Sequence, residues 1–212
     1  MKSHSRRFSL SICLAAYAAA LAVAAVAGAL AASLLPALAA GSQPLAVALA
    51  ADLAATVAVF AFSLAFDNSS LYDPYWSVAP PLLALYWLGA YGGALTPRRA
   101  LALVLLGVWA VRLTANWLRR WRGLADEDFR YADMRRHFGR GYWPVSFAAI
   151  HLFPTLIVFL GCLPLHELLR GTSPGPTGTA PVGLGPPAAL GTVDAAALLV
   201  TAPKDERANG AE

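Results

Sequence analysis

Ionisable residues are scarce in this 212-residue chain. Asp, Glu, Lys and Arg make up 13% of it, against roughly 25% in a soluble domain. Apolar residues take their place, at 58%, with a mean hydropathy of +0.56. An ordinary water-soluble globule is thereby excluded. Cysteine is nearly absent as well. Cys13 and Cys162 both sit inside apolar segments, which excludes a disulfide framework and any zinc-ligand spacing, so no metal is expected. There is no glycine-rich phosphate loop, no paired-histidine motif and no nucleophile elbow. No internal repeat is visible. The net charge of +4 is informative through its distribution along the chain, and no nucleic-acid partner is expected.

What the chain does have is long apolar runs. Crossing a hydrocarbon core of roughly 30 Å takes about 20 apolar residues in a helix. Windows near 8–35, 45–66, 78–95, 100–118 and 147–169 meet that need. They predict an all-α, multi-pass transmembrane bundle of about five spans. Lys2, Arg6 and Arg7 precede the first run, which is too long for the apolar core of a signal peptide. Pro80 and Pro81 fall near the expected start of the third span, where a missing N–H is tolerated. After residue 170 the character changes. Residues 171–187 are rich in Gly, Pro and Thr and read as a flexible linker. Residues 188–202 are apolar but short for a span, at most a partial sixth. No Phe, Tyr or Trp occurs after Phe159.

Lys and Arg counted in the loops set the orientation. The N-terminal tail and the 119–143 loop share a side when four spans separate them. Together they hold ten basic residues, whereas the opposite side has only Arg98 and Arg99 before the fifth span ends. The N-terminus and the large loop are therefore expected in the cytoplasm, the spans in the inner (plasma) membrane, and the 67–77 loop beside them.

Charge is concentrated in one place. Twelve of the 28 Asp, Glu, Lys and Arg residues lie in the 29 positions from Arg112 to Arg140. In this stretch Asp126 is expected to cap a short helix ending before Gly139, with acids in its first turn and Arg135 and Arg136 in its last. Tyr131, Met134 and Phe138 fall on one face, as in a helix lying on a membrane surface. Arg112 and Asn116, one turn apart inside the end of span four, suit a phosphate grip or a snorkelling pair. Arg119, Arg120 and Arg122 suit phosphate, lipid headgroups or plain topogenic charge. The second polar patch is Asp67 to Ser77, with two carboxylates and three aromatics. A carboxylate at such a boundary can exchange protons near neutrality, and Trp and Tyr there can line an apolar pocket. Aromatic-belt anchoring accounts for the same residues. Asp52, well inside span two, is a functional candidate by position or reaches the outer interface. His151 and His166 are expected to be packed rather than ligating.

These segments occur in a familiar order: Asp73, Pro74, Tyr75, Trp76, Ser77, Val78, Ala79, Pro80; then Arg112, Leu113, Thr114, Ala115, Asn116, Trp117; then Trp121, Arg122, Gly123; then Glu127, Asp128, Phe129, Arg130, Tyr131. From about Ala50 to Leu169 the chain resembles the DUF1295 proteins, membrane proteins related to steroid 5α-reductases. The resemblance implies a helical membrane fold with a cytoplasm-facing site. It also implies NADPH-dependent reduction of a carbon–carbon double bond in a lipid-like enone, in which an acid polarises the carbonyl. Asp73 with Tyr72 or Tyr75 is then the acid group. Arg112, Asn116 and Arg120 would meet the cofactor, and Trp76, Trp121, Glu127, Arg130 and Tyr131 the substrate.

One family feature is missing. The Ser-Arg-His-Pro-Asn-Tyr-x-Gly-Glu stretch of the cofactor half does not occur in this sequence. The expectation is a truncated member, inactive alone unless a partner chain supplies that half. Two other readings stand beside it. One is a non-catalytic membrane module that binds lipid or a partner span. The other is an isoprenylcysteine-methyltransferase-like enzyme.

Overall fold

In lipid no water satisfies a bare N–H or C=O, so an apolar run must close its hydrogen bonds within its own segment. The computed structural model of the chain obeys this rule. It describes residues 2–35, 42–92 and 94–171, and among these every regular element is helical. The expected linker beyond Gly171 and the apolar segment 188–202 lie outside the described residues. Four helical segments are long and apolar enough to cross a membrane: Arg7–Leu34, Gln43–Ala65, Pro97–Arg120 and Phe129–Arg170. The chain is an all-α, multi-pass membrane protein.

The first two helices, α1 (Lys2–Leu34) and α2 (Gln43–Ala65), lie along each other. Small residues make that approach close: a Cβ built on Gly28 would touch Val47 and Ala51 at 3.6 Å. Helix α3 (Tyr75–Tyr91) has 17 residues and rises about 26 Å, at the short end for a span. It starts three residues before the expected 78, so Pro80 and Pro81 sit in its second turn. Their missing N–H groups deprive the carbonyls of Trp76 and Ser77 of helical donors. Gly92, at φ +58°, ends the helix. Helix α4 (Pro97–Arg120) opens on a Thr96 cap that accepts from the Arg99 N–H, with Pro97 in its first turn.

The polar stretch folds as a loop and then α5 (Phe129–Phe138). Asp128, not Asp126, caps this helix, its side chain accepting from the Arg130 N–H. The reason is local: Asp128 has extended backbone angles, and Glu127 before it is turned towards the 67–73 loop. Tyr131 and Met134 pack against the cluster of Ala20, Ala55, Val59, Tyr72 and Tyr75. That face of α5 is therefore held by protein, while Phe138 remains exposed. The chain continues through α6 (Tyr142–Ser146), a π turn over Phe147–Leu152, α7 (Phe153–Gly161) and α8 (Leu163–Arg170).

Two ends of the bundle are pinned differently. At one end Arg99 donates from Nη2 to the Leu169 carbonyl at 2.9 Å and from Nη1 to that of Ala94 at 2.8 Å. Close by, Tyr91 Oη and His166 Nε2 share a 2.7 Å hydrogen bond. At the other end the 67–73 and 124–128 loops are cross-braced. Asn68 Nδ2 donates to the carbonyls of Leu124 (2.7 Å) and Asp126 (3.3 Å), while its Oδ1 accepts from the Ser70 N–H (2.7 Å). Asp128 N donates to Ser70 Oγ at 2.9 Å, and Ser69 N to Glu127 Oε1 at 2.9 Å. Asn68→Ala removes a cap and two donors from a buried site. It should cost about 2–3 kcal/mol, read as a lowered unfolding temperature in detergent; an unchanged transition would show that the brace is not stabilising.

Candidate functional site

The braced loops, together with the facing ends of α3, α4 and α7, enclose a polar cavity of about 830 Å³. Nine of the eleven residues singled out in the sequence line it: Tyr72, Asp73, Trp76, Asn116, Arg120, Trp121, Glu127, Arg130 and Tyr131. Tyr75 and Arg112 do not. Arg112 is exposed on the outer side of α4, in a groove it shares with Asn116 and Arg119.

Within the cavity Asp73 is paired with Tyr131, whose hydroxyl donates to Asp73 Oδ1 at 2.6 Å. Burial pushes the Asp73 carboxyl up to about 6; the Tyr131 bond pulls it down, Asp128 raises it, and Arg130 and Arg120 lower it. Arg130 grips Asp128 through both carboxylate oxygens, at 2.8 and 3.1 Å. That grip holds Asp128 below the usual carboxylate range. Arg120, Arg122 and Asn116 also reach the cavity, and among the described residues none of their side chains makes a hydrogen bond. Trp121 is a wall built from core, buried against Cys13 and Leu71 and stacked on Trp117 at 4.9 Å.

Glu127 belongs more to the scaffold than to the cavity. Besides Ser69 N it accepts from the Tyr142 hydroxyl at 3.3 Å and pairs with Arg135 at 3.3 Å. Arg135 in turn bridges to Asp67 at 2.7 Å and lies over the Tyr142 ring at 4.2 Å. Sequence reasoning gives Asn68, Ser69 and Ser70 no individual role within the Asp67 to Ser77 patch, reads Arg135 only as a last-turn helix charge, and does not single out Tyr142. The Asn68, Ser69, Ser70 run is a recognisable capping pattern. Partners some 56 to 77 positions away leave no local signal.

A second, apolar cavity of about 380 Å³ lies among α1, α2 and α3, walled by alanines, Val47 and Leu83. Tyr75 and Asp52 line it. The Tyr75 hydroxyl donates to Asp52 Oδ1 at 2.6 Å and lies 3.0 Å from the Asp52 carbonyl oxygen. Asp52 is 5% exposed and about 14 Å along α2 from Gln43, so it sits at mid-span and does not reach the outer interface. The three tyrosine and aspartate candidates thus separate. Tyr75 pairs with Asp52, Asp73 with Tyr131, and Tyr72 with Thr155 at 2.7 Å. The Tyr72 and Tyr75 rings stack at 5.2 Å between the two cavities. His151 is fully buried, bonded to Ser63 Oγ and the Ser146 carbonyl.

A family model described as "Protein of unknown function (DUF1295)" matches residues 59–181, more than half of the chain. The match takes in the whole polar cavity and begins seven residues beyond Asp52. No curated protein and no solved structure matches.

The Asp73 shift has a sign that can be measured. Folded Asp73 keeps its proton up to about 6, whereas the unfolded group releases it near 3.8. Between those values the folded state binds more protons, so its stability falls as pH rises through that window. Asp73→Asn should flatten the slope in thermal unfolding across it. Tyr131→Phe, which removes a bond favouring the ionised form, should move the window's upper edge higher. An unchanged slope in Asp73→Asn would assign it to another group.

Proposed function

Because the chain belongs to the DUF1295 family, we propose that it is an integral-membrane reductase acting on the carbon–carbon double bond of a lipid-like enone. The observation that carries this reading is the Tyr75–Asp52 pair, hydrogen-bonded at 2.6 Å in the wall of an apolar cavity. Alanine-lined walls suit a hydrocarbon body. A carboxyl and a phenol at mid-span suit the one polar group such a lipid would bring to that depth, a carbonyl oxygen. Hydrogen bonding from this pair stabilises negative charge developing on that oxygen, and it does so where water cannot compete.

The polar cavity lies next to it. The guanidinium groups of Arg120 and Arg122 and the Asn116 amide fit an anionic phosphate portion, because the donors have no other hydrogen bonds among the described residues. NADPH, when bound, supplies the hydride. The residues present fit its phosphates; the Ser-Arg-His-Pro-Asn-Tyr-x-Gly-Glu stretch that the resemblance implies does not occur in this sequence, and no residue is assigned to its contacts. The concentration of arginine around the polar cavity supports its facing the cytoplasm from the inner membrane. A second reading, lipid binding without chemistry, is favoured by the almost wholly apolar lining of the smaller cavity.

Infrared spectra separate the two readings. A saturated keto lipid bound to the protein in nanodiscs should show its carbonyl stretch lowered, and Tyr75→Phe and Asp52→Asn should each remove that shift. Turnover of an enone lipid should fall by about 10²–10⁴ in the same variants. An unshifted carbonyl with normal lipid binding selects the non-catalytic module. Separately, joint Arg120→Ala and Arg122→Ala should raise the Kd for NADPH by about tenfold or more, followed by tryptophan fluorescence; unaltered binding would place the phosphates elsewhere.

A further inference from the structure

The Asp52–Tyr75 pair is at mid-span, yet it is not isolated. The Thr56 hydroxyl donates to the Asp52 carbonyl at 2.9 Å, the same oxygen that the Tyr75 phenol reaches at 3.0 Å. Thr56 Oγ1 lies 2.8 Å from Thr155 Oγ1, and Thr155 Oγ1 lies 2.7 Å from Tyr72 Oη. Tyr72 lines the polar cavity. A row of hydroxyls therefore runs from the polar cavity, through α7 and α2, to the Asp52 carbonyl, where it meets the Tyr75 phenol that is bonded to the Asp52 carboxyl. Thr56 is 0% and Thr155 2% exposed, so no bulk water reaches the middle of the row.

We propose that Tyr72, Thr155, Thr56 and Tyr75 form a proton path that reloads the Asp52 carboxyl from the polar cavity. The fate of the proton rests on the reductase reading, because saturating an enone takes up one hydride and one proton. Along the row each oxygen accepts a proton from the neighbour on the polar-cavity side and releases its own to the next. Tyr72 passes to Thr155, Thr155 to Thr56, Thr56 to Tyr75 once it turns off the Asp52 carbonyl that the two hydroxyls share, and Tyr75 to Asp52 Oδ1. Water in the polar cavity restores the Tyr72 proton. Every hydroxyl ends neutral, one O–H bond having formed and one broken at each. Thr155 and Thr56 also have carbonyl acceptors, those of His151 at 2.8 Å and of Asp52 at 2.9 Å. Each threonine hydroxyl can therefore rest on a carbonyl and swing into the row to transfer. Packing alone would be served as well by valine, which is nearly isosteric with threonine. The two threonines facing each other across the α2–α7 contact are what a relay requires.

The experiment is hydrogen–deuterium exchange of the Asp52 carboxyl band, read by infrared spectroscopy on the full chain in nanodiscs in mildly acidic buffer. Asp52→Asn assigns the band. Thr155→Val and Thr56→Val should each slow its exchange by about tenfold or more, the effect of about 1.4 kcal/mol on the barrier. Thr155→Ser, which keeps the hydroxyl, should restore the wild-type rate. Unchanged exchange in both valine variants overturns the path, as does a wild type with no band assignable to Asp52. If Thr155→Val fails to fold, Thr56→Val and Tyr72→Phe decide alone. Exchange that depends on Thr155 while no keto-lipid carbonyl shift is seen would keep the path and remove the reductase reading.

Discussion

A polar group inside a hydrocarbon slab has no water to turn to, and among the described residues the buried polar side chains, with one exception, answer to that constraint. Asp52 finds the Tyr75 phenol, Thr56 finds Thr155, Tyr72 finds Thr155, and His151 finds Ser63 and a backbone carbonyl. Each of the side-chain pairs joins different segments of the chain, so satisfying the groups also sets how α2, α3 and the helices after Phe129 dock. Apolar packing in lipid is nearly indifferent to partner, since lipid tails are as oily as leucine. Specificity therefore falls to the few polar side chains and to the small residues that let helices approach. The buried Trp87 indole N–H is the exception among the described residues, with no acceptor within reach.

The same logic separates the two cavities by chemistry. Alanine and glycine on α1 and α2 leave room beside Tyr75, and that room is lined by apolar side chains except for Asp52 and the tyrosines Tyr17, Tyr75 and Tyr86. The other cavity lies where the chain emerges between spans, and arginines and carboxylates crowd it. Tyr72, just before α3, and Tyr75, its first residue, are stacked on each other yet face different spaces. One short segment thus forms a wall of both.

Most of helix α4 is exposed or half-buried. Only Ala110 in it is buried, and its link to α3 runs through the Ser77–Thr114 bond at 2.9 Å and the Trp76–Trp109 contact. Its C-terminal turns carry Asn116 and Arg120 into the polar cavity. Among the described residues neither side chain makes a hydrogen bond, so that wall is less fastened than the loops opposite it. The opposite wall, made by the 67–73 loop and the 124–128 loop, is fastened by Asn68, Ser69 and Ser70.

The amino-acid sequence alone determined the membrane class, the helical fold and most of the polar cavity. Apolar length and scarce charge leave only helices as spans, and residues that lie in two polar segments between spans must emerge at the same end. That is why Asp73, Trp76, Asn116, Arg120 and Tyr131 were recognisable before any fold was known. What only the tertiary structure decided is the pairing. Asp73 meets Tyr131 rather than Tyr72 or Tyr75, Tyr75 reaches back to Asp52, and Arg112 points away from the cavity. These outcomes depend on the rotation of each helix about its own axis and on the register of the π turn. Apolar all-round helices carry almost no periodic signal to reveal that rotation. It is set only when polar groups far apart in the chain find each other.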